Sequence, residues 1–123
     1  MSITVLLADD TAIIRQSIVS LLQAAPDVEI VAQASNYRQT IDLATKLHPH
    51  VIVLDIHMGD EQSQPSEQLK SHLTGSCLLA ISLWADDETK SFAKNIGAVA
   101  LLDKVELATQ LIPAIRSCAS DQK

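Results

Sequence analysis

The chain has 123 residues, of which 47% are hydrophobic and 20% charged, the balance of one globular domain that can bury a core. Nine basic against fifteen acidic side chains give a net charge of -6, which argues against direct nucleic-acid binding. Three aromatic side chains are too few for a base-stacking platform or an aromatic-lined ligand pocket.

The N-terminal residues lack the basic start and long apolar region of a signal peptide, and nowhere do eighteen apolar residues run together. We therefore expect a cytoplasmic protein without membrane contact. Cys77 and Cys118 are too far apart in the sequence for a metal or redox motif of the CxxC kind. We expect them to be two buried, inert thiols.

Short apolar runs rich in Val, Ile and Leu predict five β-strands, at 3–8, 29–34, 51–54, 77–83 and 99–102. Each run is too short for a helix and too continuous for a strand with one solvated face. Strands covered on both faces of a parallel sheet have this pattern.

The first two segments between strands predict amphipathic helices. The first ends before Pro26, and its apolar stripe comprises Ile13, Ile14, Ser17, Ile18, Leu21, Leu22 and Ala25. The second opens with Asn36 and Gln39 as a capping pair and stops before Pro49. The side chains expected to be buried on it are Ile41, Leu43, Ala44 and Leu47.

Three further helices are predicted. The polar stretch 59–76 has one apolar i, i+4 pair, Leu69 and Leu73, which indicates a long loop and a short third helix. The fourth helix follows the acidic run 86–88 and ends at Gly97. The inward side chains of the fourth helix are predicted to be Phe92, Ala93 and Ile96, and those of the fifth helix Leu107, Leu111, Ile115 and Cys118. The fifth helix begins near Glu106 and contains Pro113, so it either kinks there or starts later.

Alternating strands and helices predict a doubly wound parallel α/β sheet with helices on both faces. No internal repeat or linker divides the chain, so we expect a single domain over 1–123.

Ligands in such sheets bind at the carboxyl ends of the strands, and five polar side chains are predicted to meet there. They are Asp9, Asp10, Asp55, Ser82 and Lys104. Two carboxylates about 4 Å apart repel by roughly 4 kcal/mol at an effective dielectric near 20, so the cluster needs a cation. Oxygen ligands alone favour Mg²⁺, and Mg²⁺ with an ammonium and a hydroxyl can hold a phosphoryl group.

This set of residues resembles the site of bacterial response-regulator receiver domains, which have the CheY-like, flavodoxin-like fold. The likeness covers the whole chain. The segments ADDTAIIRQSIVSLLQAAPDVEIVAQASN and HPHVIVLDIHM are most similar to the NarL/FixJ type, whose receivers usually precede a helix-turn-helix output domain. The resemblance implies strand order 2-1-3-4-5 and a receiver over 1–123 with no output domain within the chain.

The resemblance also implies roles for the site residues. Asp55 is expected to be the phosphoacceptor, which attacks a phosphohistidine of a sensor histidine kinase. Asp10, Asp55 and the backbone carbonyl of His57 are expected to bind Mg²⁺, with Asp9 assisting through water. Ser82 and Lys104 are expected to contact the phosphoryl group and thereby change the surface formed by the fourth helix, fifth strand and fifth helix.

The expected output is therefore a surface rather than a reaction product, and we do not expect an enzyme. A homodimer through that surface, or through the first and fifth helices, is also implied.

Three positions depart from the family pattern. Gly59 stands where a Pro is usual, and Leu83 where a small residue usually admits phosphodonors. Leu101 occupies the place of a Tyr or Phe that swings inward on activation. We expect Leu83 to modulate access together with His57 and Trp84, and we predict that His57 and Trp84 restrict water and slow loss of the phosphoryl group.

Two other functions are compatible with the sequence. A receiver-like interaction module that no longer depends on phosphorylation is favoured by the three departures. An enzyme, either an FMN protein or a Mg²⁺ phosphohydrolase of the haloacid dehalogenase type, has less support. The chain lacks a phosphate loop after the first strand and the DxD spacing of the dehalogenase type. Retention of all five site residues favours the phosphorylatable switch.

Overall fold

A five-stranded parallel sheet with the order β2-β1-β3-β4-β5 forms the centre of the molecule. The structure is a computed structural model, and it describes residues 2–58 and 66–120. The strands are β1 Ile3–Ala8, β2 Val28–Ala34, β3 Val51–Asp55, β4 Cys77–Ser82 and β5 Ala100–Asp103. The predicted sheet and its strand order are confirmed. Gly59 and the predicted loop around it lie outside the described residues.

Helices connect the strands on both faces of the sheet. They are α1 Ala12–Leu22, α2 Tyr37–Leu47, α3 Ser66–Leu73, α4 Asp87–Asn95 and α5 Leu107–Ser120. A 3-10 turn at Lys104–Glu106 precedes α5, which continues through Pro113, so the alternative of a later helix start is wrong. Within the described ranges, no helix has both the length and the apolar character needed to cross a membrane.

The sheet separates two hydrophobic clusters. One contains side chains of α2, α3 and α4 with Leu6, Ile52 and Leu54 of the sheet. The other contains side chains of α1 and α5 with Leu7 and Leu79. Successive residues of β1, β3, β4 and β5 contribute to opposite clusters because side chains alternate across a sheet. In β2 the register shifts between Ile30 and Ala32, so Ile30 belongs to one cluster and Ala32 to the other.

Two helix ends follow the chemistry that the sequence indicates. The side chain of Asn36 accepts a hydrogen bond from the Gln39 N–H at 2.8 Å, and the Gln39 side-chain oxygen accepts one from the Ser35 N–H at 2.8 Å. This reciprocal cap confirms the predicted start of α2. After α4, Gly97 has a φ of 89°, a left-handed conformation in which a Cβ is unfavourable.

Several predicted core positions are wrong. Ile13 is 71% exposed because it lies about 140° around α1 from the buried Ile18. Ser17 is also exposed. Leu47 is 45% exposed at the last residue of α2, which extends past the core cluster. Val99 is 65% exposed and precedes β5.

The prediction that every strand is buried on both faces is also wrong for the two edge strands, β2 and β5. The side chains of β3 and β4 are buried throughout, whereas β2 and β5 each include half-buried and exposed positions. The cause is topological, because an edge strand has a neighbour on one flank alone.

The two cysteines are joined in a disulfide, so the expectation of two free thiols is wrong. Cys77 begins β4 and Cys118 lies near the end of α5, and their Cα atoms are 5.8 Å apart. The two cysteines are 41 residues apart in the sequence, which excludes a CxxC motif, but the fold makes them neighbours because α5 returns along β4. Both residues are buried, as predicted.

Candidate functional site

Three carboxylates meet at the carboxyl-terminal edge of β1 and β3. Asp9 and Asp10 directly follow β1, and Asp55 is the last residue of β3. Because these strands are parallel neighbours, their ends meet, and one carboxylate oxygen from each acid lies within 4.8 Å of the others. Asp9 and Asp55 are buried while Asp10 is exposed. The structure thus brings the three predicted acids together.

Lys104 provides a positive charge at this acid cluster. Its Nζ lies 2.8 Å from Oδ2 of Asp9 and 3.4 Å from Oδ2 of Asp55, and the lysine side chain is 10% exposed. The residue reaches the acids because β5 ends one position earlier, at Asp103, and the 3-10 turn starts there. One lysine therefore forms ion pairs with both buried acids.

Backbone N–H groups hold one oxygen of each buried acid. The Thr11 N–H donates to Oδ1 of Asp9 at 2.8 Å, and the His57 N–H donates to Oδ1 of Asp55 at 3.0 Å. The Oδ2 of Asp9 is buried and accepts no hydrogen bond of good geometry from the described residues, despite its short distance to the Lys104 ammonium. This oxygen retains lone pairs that a cation can use.

The pKa of Asp55 is raised from 3.8 to about 6, chiefly by burial and secondly by the negative charge of Asp9. The Lys104 ammonium and the hydrogen bond from the His57 N–H act in the opposite direction. At pH 7.5 the carboxylate is therefore mostly ionised, but its charge is costly in the folded protein. An ionised oxygen in a desolvated position can act as a nucleophile.

Ser82 is the buried last residue of β4, on the same edge of the sheet. Its Oγ accepts a hydrogen bond from the Trp84 N–H at 3.0 Å, and it lies in register with Asp103, one residue before Lys104. Since the oxygen already accepts, the hydroxyl can donate its own hydrogen to a ligand.

Three side chains border this edge. Leu83 is 59% exposed and Trp84 is 56% exposed. The rings of His57 and Trp84 pack edge to face, with their centroids 4.7 Å apart, and Nε2 of His57 lies 3.4 Å from Oγ1 of Thr89. His57 therefore contacts both Trp84 and Thr89, and the sequence does not reveal either contact.

A family model described as the response regulator receiver domain matches residues 5–116 of the chain. The chain belongs to this family. It is a receiver domain of the kind found in two-component response regulators, as the sequence resemblance implies.

Two relatives match this receiver domain over almost its whole length. The transcriptional regulatory protein LiaR of Bacillus subtilis is 29% identical over 98% of this chain and 57% of LiaR. The nitrate/nitrite response regulator protein NarL of Escherichia coli K12 is 30% identical over 97% of this chain and 56% of NarL. The chain therefore spans somewhat more than half the length of these relatives.

Solved receiver domains have the same fold. The signal receiver domain of NarL from Mycobacterium tuberculosis is 25% identical, with a TM-score of 0.85 and 97% of both chains covered. The response regulator domain of Thermotoga maritima CheB, at 23% identity, has a TM-score of 0.84 over 98% of both chains. The second similarity concerns the fold alone.

At the position where receivers commonly have an aromatic residue, Leu101 lies within β5 in register with Ala80. Its half-buried side chain packs against the core cluster on the α4 side of the sheet. The receiver domain therefore has an aliphatic contact here, in place of a ring.

Sequence reasoning missed two polar contacts near the site. The Arg15 guanidinium donates a hydrogen bond to the backbone carbonyl of Asp9, and Thr89 contacts His57. Arg15 lies off the apolar stripe of α1, and nothing in that pattern distinguishes a solvated arginine from one directed to the end of β1. Thr89 is buried on the first turn of α4, where the acidic run 86–88 is the dominant sequence feature.

Proposed function

We propose that this receiver domain is a phosphorylation-dependent switch in which Asp55 accepts a phosphoryl group from a sensor histidine kinase. The observation that carries the proposal is the convergence of Asp55, Asp9, Asp10 and Lys104 at one edge of the sheet. Family membership makes two-component signalling the context of this site.

The residues present fit a magnesium ion. Asp9 has a buried oxygen without a well-formed hydrogen bond, and Asp10 has an exposed carboxylate beside it. An all-oxygen set of this kind suits Mg²⁺. In the proposal Asp10, Asp55 and the backbone carbonyl of His57 hold the ion, and Asp9 assists through water. The ion would supply positive charge against the carboxylates and the phosphoryl oxygens.

The protein's own groups then have distinct tasks. A carboxylate oxygen of Asp55 attacks the phosphorus of phosphohistidine, so that a P–O bond forms while the P–N bond breaks. The departing ring nitrogen keeps the electron pair of the broken bond and takes up a proton. Lys104 pairs with a phosphoryl oxygen, and the Ser82 hydroxyl donates a hydrogen bond to another.

The proposed output is a changed surface formed by α4, β5 and α5. Ser82 and Lys104 lie at the starts of the connections to α4 and α5, so movement of these two residues toward a phosphoryl group also moves those connections. A surface of this kind suits a homodimer through α4, β5 and α5, or one through α1 and α5.

We also propose that the segment 1–123 is the receiver of a NarL/FixJ-type transcriptional regulator that works in the cytoplasm. LiaR and NarL, which match over nearly the whole segment, support this by their names. An enzyme is not proposed. The methylesterase/glutaminase 2 of Pseudomonas syringae also matches 96% of the chain, but the chain spans 36% of that protein.

A second candidate function is a receiver-like interaction module that does not depend on phosphorylation. The aliphatic Leu101, packed against the core, favours it because no ring is present there to change position. This candidate predicts the same surface with and without a phosphoryl group.

The test is incubation of the protein with a small phosphodonor such as acetyl phosphate, with Mg²⁺ or with a chelator, followed by intact-mass spectrometry. We expect the wild type to gain one phosphoryl group with Mg²⁺. Asp55→Asn should gain none. Asp42→Asn, which alters an exposed acid of α2, should behave as the wild type. A wild type that remains unmodified, or an Asp55→Asn variant that is modified equally, would contradict the proposal.

A further inference from the structure

The cysteine pair lies at the opposite edge of the sheet from the acid cluster. Cys77 is the first residue of β4 and Ser82 is the last, so the two ends are about 17 Å apart at the usual rise of a strand. Cys118 lies two residues before the end of α5, the helix that follows Lys104 through the 3-10 turn. The disulfide thus joins the distal ends of the two elements whose other ends lie beside the acids.

We propose that Cys77 and Cys118 form a reversible thiol–disulfide site whose oxidation fixes the C-terminal end of α5 to the sheet. Their Cα atoms are 5.8 Å apart, within the range of about 4.4–6.8 Å that disulfides span. The proposal does not rest on the phosphorylation of Asp55.

The sheet holds one cysteine in place. The N–H of Cys77 donates to the carbonyl of His50 at 2.9 Å, and the residue pairs in register with Val51 of β3. Cys77 is bound to β3, and β5 flanks the rest of β4 from Leu79 onward, so Cys77 does not move without disruption of the sheet. Any separation of the two sulfurs must therefore come from α5.

The end of α5 has other contacts that persist when the disulfide is reduced. Cys118 and Ile115 pack in the hydrophobic cluster with Leu79. Arg116 forms a two-point ion pair with Asp27, at 3.0 and 2.9 Å, on the exposed surface. Reduction should therefore leave the helix folded but allow its last turns to open more often.

Burial determines how the pair reacts. Cys77 is 6% exposed and Cys118 is 2% exposed, so a reagent reaches the sulfurs when the end of α5 opens. The proposed oxidant is a low-molecular-weight disulfide such as oxidised glutathione. One cysteine thiolate attacks it and releases one reduced thiol, and the second thiolate then displaces the other. The disulfide bond of the oxidant breaks as the bond between Cys77 and Cys118 forms, and the oxidant takes up the two electrons while its two departing thiolates take up the two protons that the cysteines lose.

The experiment compares the oxidised and reduced forms of the full chain, equilibrated with oxidised or reduced glutathione. Intact mass and peptide mapping identify the crosslink, and hydrogen exchange measures opening of the last turns of α5. We expect the oxidised form to be two hydrogens lighter and to carry a bond between Cys77 and Cys118. Exchange over residues 115–120 should be slower in that form by about tenfold.

The double variant Cys77→Ala, Cys118→Ala is the control for direct effects of glutathione, and its exchange should not depend on the redox buffer. If that variant folds poorly, the reduced wild type still provides a comparison of identical sequence. Two results would overturn the proposal. One is retention of both thiols after equilibration with the oxidant, and the other is equal exchange at the end of α5 in the two forms.

Discussion

The negative charge of Asp55 is unfavourable in the folded protein. Burial and the neighbouring Asp9 favour its neutral form, while Lys104 and the His57 N–H favour the anion. The balance raises its pKa to about 6. A nucleophile and cation ligand must be ionised, so the same desolvation that makes Asp55 reactive also lowers the stability of the folded domain.

The first prediction concerns this cost. A carboxyl group whose folded pKa is raised contributes stability below its unfolded pKa and loses that contribution as the pH rises through the folded pKa. For Asp55 the window extends from 3.8 to about 6. In a chelator, Asp55→Asn should therefore have a free energy of unfolding roughly 2–3 kcal/mol above the wild type at pH 8.

Urea unfolding measured from pH 4 to pH 8 checks this prediction. The gain should fall steeply toward pH 4, where Asp55 is protonated in the folded state and still partly protonated in the unfolded state, so that little of the cost remains. Asp42→Asn, an exposed change on α2, should not alter the profile. A gain for Asp55→Asn that is the same at every pH would contradict the account.

The second prediction concerns the aromatic pair beside the site. Because the rings of His57 and Trp84 pack edge to face at 4.7 Å, we expect them to restrict water at Asp55. Replacement of both by Ala should shorten the lifetime of the phosphorylated form by about tenfold, or ~1.4 kcal/mol in activation free energy.

The lifetime is measured by intact mass after removal of the phosphodonor. Trp84→Phe retains an aromatic ring and should have a lifetime close to the wild type. The hypothesis of restricted water is wrong if the wild type loses its phosphoryl group as fast as the double alanine variant.

At the scale of elements, α2 shows how local chemistry sets a boundary. The Asn36 side chain accepts a hydrogen bond from the Gln39 N–H at the start of the helix, and the Gln39 side chain accepts hydrogen bonds from the N–H and hydroxyl of Ser35, which directly follows β2. We predict that Asn36→Ala lowers the free energy of unfolding by about 1 kcal/mol. Arg38→Ala, an exposed change on the same turn, is the control and should have a much smaller effect in the same urea titration. Equal losses in the two variants would show that the cap contributes nothing specific.

Elements with a local cause could be predicted from the sequence. Strand runs, the α2 cap and Gly97 depend on neighbouring residues, and the sheet order came from the family resemblance. Exposure of Leu47 depends on how far the core extends, which helical periodicity does not contain, whereas exposure of Ile13 follows from its angle around α1 and shows that the predicted stripe was too wide. The disulfide depends on the return of α5 along β4, because sequence spacing does not report which element ends become neighbours.

The candidate site was predictable because the topology of a parallel sheet determines which strand ends become neighbours. Parallel strands place all their carboxyl ends at one edge, so residues that end β1, β3 and β4 had to converge there. Contacts made from helices, such as that of Arg15 with the Asp9 carbonyl, were missed because they depend on the rotation of α1 over the sheet.

For the molecule as a whole, the net charge of -6 is partly a property of the site, because three of the fifteen acids meet there. We predict that Mg²⁺ raises the free energy of unfolding of the wild type by roughly 1–3 kcal/mol at concentrations well above its Kd. Asp10→Asn should lose most of this gain while changing little in a chelator, because Asp10 is exposed. Thermal unfolding with and without Mg²⁺ measures both effects.

Asp42→Asn again serves as the control, since it removes the same charge away from the edge of the sheet. Its response to Mg²⁺ should equal that of the wild type. A response lost equally in Asp42→Asn and Asp10→Asn would mean that Mg²⁺ acts on the overall charge and not at the acid cluster.

Above all, we propose that a group bound at Asp55 changes the surface of α4, β5 and α5. Hydrogen exchange with Mg²⁺, in the presence and absence of the phosphoryl mimic beryllofluoride, tests it most directly, with Asp55→Asn as the control. We predict altered exchange in wild-type peptides that cover residues 83–107, and no change in Asp55→Asn. Bound beryllofluoride that leaves exchange over 83–107 unaltered would contradict the switch and favour an interaction surface that is independent of phosphorylation.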